Sequence, residues 1–202
     1  MNLVESYYRL HNAIFNKTDI LAGLGPLALR LFLMPVFFVA GMNKVNGFED
    51  VVAWFGNDEW GLGLPLPTLM AALAAGTEVI GAVLLAIGLA VRWISIPLMI
   101  TMLVAIFTVH WENGWQAIHD LQSWGANANA EAALERLDRA KDILREHGNY
   151  EWLTEKGSII SGNNGIEFGV TYFVMLLALF FSGGGKFFSV DYYLDRHFNP
   201  KK

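Results

Sequence analysis

The sequence predicts an all-α fold: a four-transmembrane-helix bundle, with an N-terminal interfacial helix and an extra amphipathic helix in a long third loop. Three observations predict it. Hydrophobic residues make up 54% of the chain and charged residues only 16%, against about 25% charged in a typical soluble domain. Four apolar stretches, at 21–45, 68–90, 93–110 and 166–182, approach or exceed the roughly 20 residues that cross a bilayer, and in lipid such stretches must satisfy their own backbone as helices. Third, the loop at 111–165 carries apolar residues at helical spacing, Ala130, Ala133, Leu134, Leu137, Ala140 and Leu144, and is too long for a plain connector.

Taken in order, residues 1–20 include "LVESYYRLHNAIF", an amphipathic stretch expected to lie in the membrane interface. The N-terminus lacks the basic start and unbroken apolar core of a cleavable signal peptide. The first span, 21–45, leads to "WGLGLPLPT" at 60–68, where Pro65 and Pro67 suit a stiff start to the second span. Only "VRW" at 91–93 separates the second span from the third, predicting a tight antiparallel hairpin there. The insert 111–165 follows, and Gly148 is a plausible stop for its helix. The shortest span, 166–182, ends at "SGGGKFFSVDYYL", where Gly183–Gly185 can supply a left-handed cap. A phosphate loop is disfavoured, since no strand precedes it and no Lys-Ser/Thr opens a following helix. Residues 183–202 form the tail. The 202 residues are expected to form a single membrane domain.

Orientation follows from lysine and arginine in the flanks. Arg9, Lys17, Arg92, Lys186, Arg196, Lys201 and Lys202 fall on one side against four acids, whereas six basic residues on the other side are outnumbered by acids. Both termini are therefore expected in the cytoplasm, with 111–165 outside it. Trp93 would then mark the inner interface, and Trp54, Trp60, Trp111 and Trp115 the outer one. The absence of cysteine excludes disulfides, thiolate metal sites and cysteine nucleophiles. Nothing resembles a nucleic-acid-binding face.

The spans carry a small polar set. A charge at a helix centre costs roughly 2.5–3.5 kcal/mol on insertion scales, so Arg30 in the first span and Glu78 in the second are expected to pair across antiparallel helices. Arg30 and Lys44 lie fourteen residues apart, nearly four turns, on one face. Small residues around Glu78, namely Ala71, Ala74, Ala75, Gly81 and Ala82, admit a close neighbour. Near the outer surface Lys44, His110 and Glu167 are expected at one level, joined by Asn43, Glu112, Asn113, Asn163 and Asn164. Each feature has a structural reading beside the functional one. The Arg30–Glu78 pair either relays protons or fixes helix register. His110 is either a ligand or a hydrogen-bonded structural histidine, and Met99 and Met102 are either packing or a weak copper site. No metal ligand set is assigned.

Four segments, "LRLFLMPVFFVAGMNKV" (29–45), "LPLPTLMAALAAGTEVIGAVLLAIGLAVRW" (64–93), "MLVAIFTVH" (102–110) and "GGGKFFSVD" (183–191), resemble in order the DoxX family of four-helix bacterial membrane proteins. The longer insert, with "WFGNDEWGLGLP", "VHWENGWQAIHD", "EHGNYEWLTEKGS" and "NNGIEFGVTYFVMLLALFF", is similar to the HvfX-type members associated with clusters for copper-binding, ribosomally made peptides. The resemblance implies a multi-pass protein of the bacterial inner membrane. It implies an oxidoreductase-associated subunit, or a maturation or accessory protein whose partners are such a peptide or its maturation proteins. It also implies quinone-linked chemistry, with copper as a weaker possibility.

Under the oxidoreductase reading, Glu78, Arg30, His110, Glu167 and Lys44 handle protons, and Trp111, Asn113 and Asn164 face the quinone or substrate. The alternative is a non-catalytic transporter or docking partner for a small peptide or a metal, in which the insert docks the partner and the polar interior is a conduit or a lock.

Overall fold

The computed structural model describes residues 2–15 and 21–199. Lys17, Lys201 and Lys202, which entered the charge count above, lie outside them. The described residues form helices α1 (Leu3–Phe15), α2 (Leu24–Asn46), α3 (Phe48–Gly56), α4 (Pro67–Ile87), α5 (Val91–Ala105), α6 (Ala130–His147), α7 (Tyr150–Thr154), α8 (Glu167–Ser182) and α9 (Val190–Phe198). No strand is present among them beyond a single bridge between Ile118 and Gly162. Three helical stretches are long and apolar enough to cross a membrane: Leu24–Asn46, Pro67–Ile87 and Val91–Asn113. The apolar helix α8 is shorter. The third stretch continues from α5 through one π-helical turn, Ile106–His110, and one 3-10 turn, Trp111–Asn113.

The chain divides into two compact units, one of residues 1–101 and 174–202, the other of residues 102–173. The first is built on α2 against α4. One face of α4 is buried through Ala71, Ala75, Glu78, Ala82 and Leu85. The opposite face, Leu69, Leu73, Ile80, Val83 and Ile87, stays exposed although it is wholly apolar. An exposed apolar stripe on a helix of this length is a lipid-facing surface, and the chain is a multi-pass membrane protein. Without a hydrophobic drive between helices in lipid, close backbone approach supplies the packing. Gly41 of α2 is where this approach is tightest: a Cβ there would stand 2.7 Å from Val79 Cγ2 and 2.9 Å from the Val79 nitrogen. Gly41→Ala is accordingly expected to destabilise the helix pair by about 2 kcal/mol. Thermal unfolding in detergent micelles measures this, and an unchanged midpoint would show that α2 slides without loss.

The short connections follow from local chemistry. Before α4, the Asn57 side chain accepts the N–H groups of Glu59 and Trp60, an Asx turn, and Leu62, Gly63 and Leu64 bond back to Trp54, Asn57 and Phe55. Pro67 then opens α4 in its first turn, where the missing N–H has no consequence. The hairpin between α4 and α5 turns at residues 88–90, three residues earlier than the sequence suggests, and Arg92 and Trp93 belong to α5. The reason is Gly88: its φ of 71° is the left-handed cap, with Gly88 bonding to Leu85 and Leu89 to Leu84, the paired bonds of a Schellman stop.

The second unit holds the insert. His119 bonds to Ser161, Asn163 and Asn164 to Ala117, Gly165 to Gln116, Ile166 to Gly114 and Glu167 to Trp115. The residues after the third span and those before α8 thus run side by side, and α6 and α7 lie between them in sequence.

Candidate functional site

Glu78 is buried in α4, with 5% of its side chain exposed, and Lys44 Nζ stands 2.7 Å and 2.9 Å from its two carboxylate oxygens. The expected Arg30–Glu78 pair is therefore corrected: the partner of Glu78 is Lys44. Helix register explains why. With Gly41 against Val79 in the antiparallel pair, Arg30 stands eleven residues from Gly41, about 16 Å along α2 at 1.5 Å per residue, and so meets the end of α4 and not Glu78. Lys44, one turn beyond Gly41, reaches Glu78 directly. Its side chain is 27% exposed, so the pair is dry at the carboxylate and partly open at the ammonium.

Arg30 is fully buried and serves the end of α4 instead. Its Nη1 donates to Leu85 O at 2.8 Å and Ala86 O at 3.2 Å, and its Nη2 to Phe188 O at 2.7 Å. A guanidinium on the last carbonyls of a helix satisfies orphan acceptors and complements the helix dipole. Asp191 completes the junction from the opposite charge. Its carboxylate accepts the N–H groups of Ala90 and Val91 at the start of α5, and its own N–H bonds to Gly88 O. Ser189 caps α9 by accepting the Tyr192 N–H. The sequence reading did not single out Asp191. Its signal is an acid two residues after Ser189, in the first turn of a helix that the serine can cap.

In the second unit His110 Nδ1 lies 2.8 Å from Asn164 O. That carbonyl also accepts from Asn113 Nδ2 at 3.1 Å. Asn164 has a φ of 59°, a left-handed conformation that asparagine tolerates, and this aims its carbonyl at the two side chains. Around them Asn163 donates to Asn113 O and Gln116 O, and Asn127 donates to Asn113 O and Asn163 Oδ1. Of this network the sequence singles out Asn113, Asn163 and Asn164 as part of a polar outer level, whereas no spacing rule marks Asn127 and Gln116. Glu167 accepts the Ala117 N–H at 3.0 Å, so its carboxylate fixes the loop. Trp111 is exposed and packs on Phe107, ring centroids 5.2 Å apart. A cleft of about 280 Å³ is lined by His110, Ala117, Gly162, Asn164, Gly165, Phe168 and Gly169.

The structure thus brings Lys44 to Glu78 in the first unit, and His110 and Asn113 to Asn164 in the second, to which Glu167 and Trp111 also belong. Arg30 stands apart from Glu78. Among the described residues, no three His, Asp or Glu side chains gather as a metal site.

A carbonyl oxygen can only accept, so His110 Nδ1 carries the hydrogen and, in the neutral ring, Nε2 holds a lone pair. The arrangement can therefore take a proton at Nε2 and release it. The Lys44–Glu78 pair can hold a charge pair in an apolar helix interface.

No solved structure matches the chain. The Bacillus subtilis protein named "Putative oxidoreductase CatD" is 37% identical over 86 residues, which are 43% of this chain and 60% of that protein, so the chain matches less than two thirds of that relative's length. Residues 25–111, which carry Arg30, Lys44, Glu78, His110 and Trp111, match the DoxX family.

Proposed function

We propose that the chain is an oxidoreductase-associated membrane protein with a quinone-facing site at His110. The observation that carries the reading is the His110–Asn164 contact beside an apolar-walled cleft. The similarity of residues 25–111 to the DoxX family, and of 86 residues to a protein named as an oxidoreductase, supports it. A quinone, when bound, supplies two-electron, two-proton chemistry. The cleft fits a ring of that kind through Phe168 for aromatic contact, glycines that leave room, and a single imidazole. His110, held by Asn164, presents Nε2 as a base to a ring hydroxyl, or as an acid to a ring oxygen once protonated. Asn113 steadies the same carbonyl. Lys44 and Glu78 hold a separate proton-bearing pair in the first unit.

The rest of the architecture is part of the same proposal. α8, with 16 residues, is about 24 Å long and serves as the fourth span by local thinning of the bilayer. Both termini are cytoplasmic, α1 lies in the interface, and 102–173 carries the outer insert of one membrane domain. The maturation role implied by the HvfX-type resemblance is the form an accessory subunit would take, with a copper-binding peptide as partner.

Quinone-dependent turnover by the purified protein with its partner oxidoreductase tests the site. His110→Ala is expected to lower turnover about 100-fold, the lower range for a lost acid–base group, with the helical content unchanged. Turnover like that of the wild type in this variant would remove His110 from the chemistry. Co-purification of a peptide or metal with no redox activity under any donor would favour the transporter or docking reading.

A further inference from the structure

The junction of α5, α8 and α9 in the first unit holds a second cleft, of about 430 Å³, which the redox reading does not use. Among the groups lining it are Arg92, Trp93, Gly184, Lys186, Tyr192 and Asp195. Two of its charges, Lys186 and Asp195, are unspent, and a third, Arg92, is only partly used. Among the described residues Arg92 makes one side-chain hydrogen bond, to Phe181 O. Lys186 and Asp195 are exposed, and no ion pair or side-chain hydrogen bond engages either among the described residues. The other carboxylate of the cleft, Asp191, is committed to the α5 amides.

The backbone contributes as well. Gly183 and Gly185 have φ of 74° and 90°, and the N–H groups of Gly184, Gly185 and Lys186 have no acceptor among the described residues. Consecutive unpaired amides in alternating hand, next to a lysine, form a concavity suited to an anion.

Two further features place this cleft at the edge of the bilayer. Trp93 is 77% exposed, an aromatic at the end of a spanning helix where headgroups lie. α9 turns outward an apolar stripe, Val190, Tyr193, Leu194 and Phe198, with Phe187 and Phe188 just before it. The spacing i, i+3, i+4, i+8 makes one face, and an outward apolar face beside the end of a spanning helix is suited to lipid.

We propose that this cleft is a headgroup site for a zwitterionic phospholipid of the phosphatidylethanolamine class. The phosphate is held by Lys186, Arg92 and the glycine amides, the ammonium by Asp195, and the acyl chains follow the outward face of α9. Both signs of charge in one cleft are what separate this ligand from an anionic lipid or a free phosphate, for which Asp195 would be a repulsive neighbour.

The full chain, purified in detergent and stripped of lipid, is titrated with short-chain phosphatidylethanolamine, phosphatidylglycerol or inorganic phosphate, and complexes are counted by native mass spectrometry. The wild type is expected to prefer phosphatidylethanolamine. Lys186→Ala should weaken both lipids about fivefold, the scale of an exposed charge contact. Asp195→Asn should weaken phosphatidylethanolamine alone and level the preference. Both side chains are exposed, so the variants are expected to fold, which circular dichroism checks. The proposal is overturned by equal binding of the two lipids to the wild type. Binding of inorganic phosphate without lipid, no binding of lipid, or either variant behaving as the wild type does so equally.

Discussion

Lys44→Met is expected to cost about 3 kcal/mol of stability, because it leaves the Glu78 carboxylate uncompensated in an apolar interface. The carboxylate is nearly closed off, and Lys44 supplies both short contacts to it. Glu78→Leu should cost less, since the orphaned Lys44 is partly exposed and its long stem can carry the ammonium toward water. Lys44→Met/Glu78→Leu together should recover most of the loss, as buried pairs replaced by apolar side chains of similar volume often do. Unfolding in micelles gives the three values, and the non-additive part is the coupling energy. Additive costs would mean that the pair does not act as a unit. The same double variant separates the two roles the pair can have. If it folds and still supports quinone-dependent turnover, the pair fixes helix register; if it folds and turnover is lost, the pair carries protons.

The parts of this architecture that were readable in advance are those set by composition and periodicity. Apolar runs of sufficient length marked the three long spans and α8 to within a few residues, because lipid admits little else. The small residues of α4 marked its packing face, since glycine and alanine are what permit close approach. Partner choice within the polar set was not readable. Arg30, Lys44 and Glu78 all lie on inward faces, and which two meet depends on a shift of several residues along the axis, fixed by the Gly41–Val79 contact. Depth estimated from the ends of apolar runs is too coarse for that. The hairpin shows the same limit: Gly88 determined the turn through its left-handed φ, while the visible charge of Arg92 suggested a later one. His110 stands out in the sequence as an ionisable group at the end of a span, whereas its hydrogen-bond partner is a backbone carbonyl, which no side-chain motif announces. Asn127 and Gln116 entered through loop folding alone.

Arg30→Met is expected to be comparably costly, about 3 kcal/mol, from two or more charge-assisted bonds, and its effect should be confined to one end of the molecule. The guanidinium bridges two elements, the last carbonyls of α4 and Phe188 before α9. Methionine fills much of the volume but takes the guanidinium donor from Ala86 O and Phe188 O, and leaves Leu85 O only the longer bond from the Gly88 N–H. Arg30→Lys should rescue little, because one ammonium lacks the planar fork that reaches both elements at once. The Asp191 contacts rest on the same turn: Gly88 gives its carbonyl to the Asp191 N–H, and a Cβ at Gly88 would stand 2.6 Å from Arg30 Nη1. Loss of the guanidinium should therefore release the Asp191 cap together with the Gly88 turn. Hydrogen exchange in micelles should show faster exchange at Gly88, Ala90, Val91 and Asp191. The amides around Gly41 and Glu78, held by helix packing and the Lys44 pair, should keep their protection. Uniform loss of protection along α2 and α4 would instead make Arg30 part of the global lock. Unchanged exchange at the junction would mean that Asp191 and the Gly88 stop hold it without the arginine.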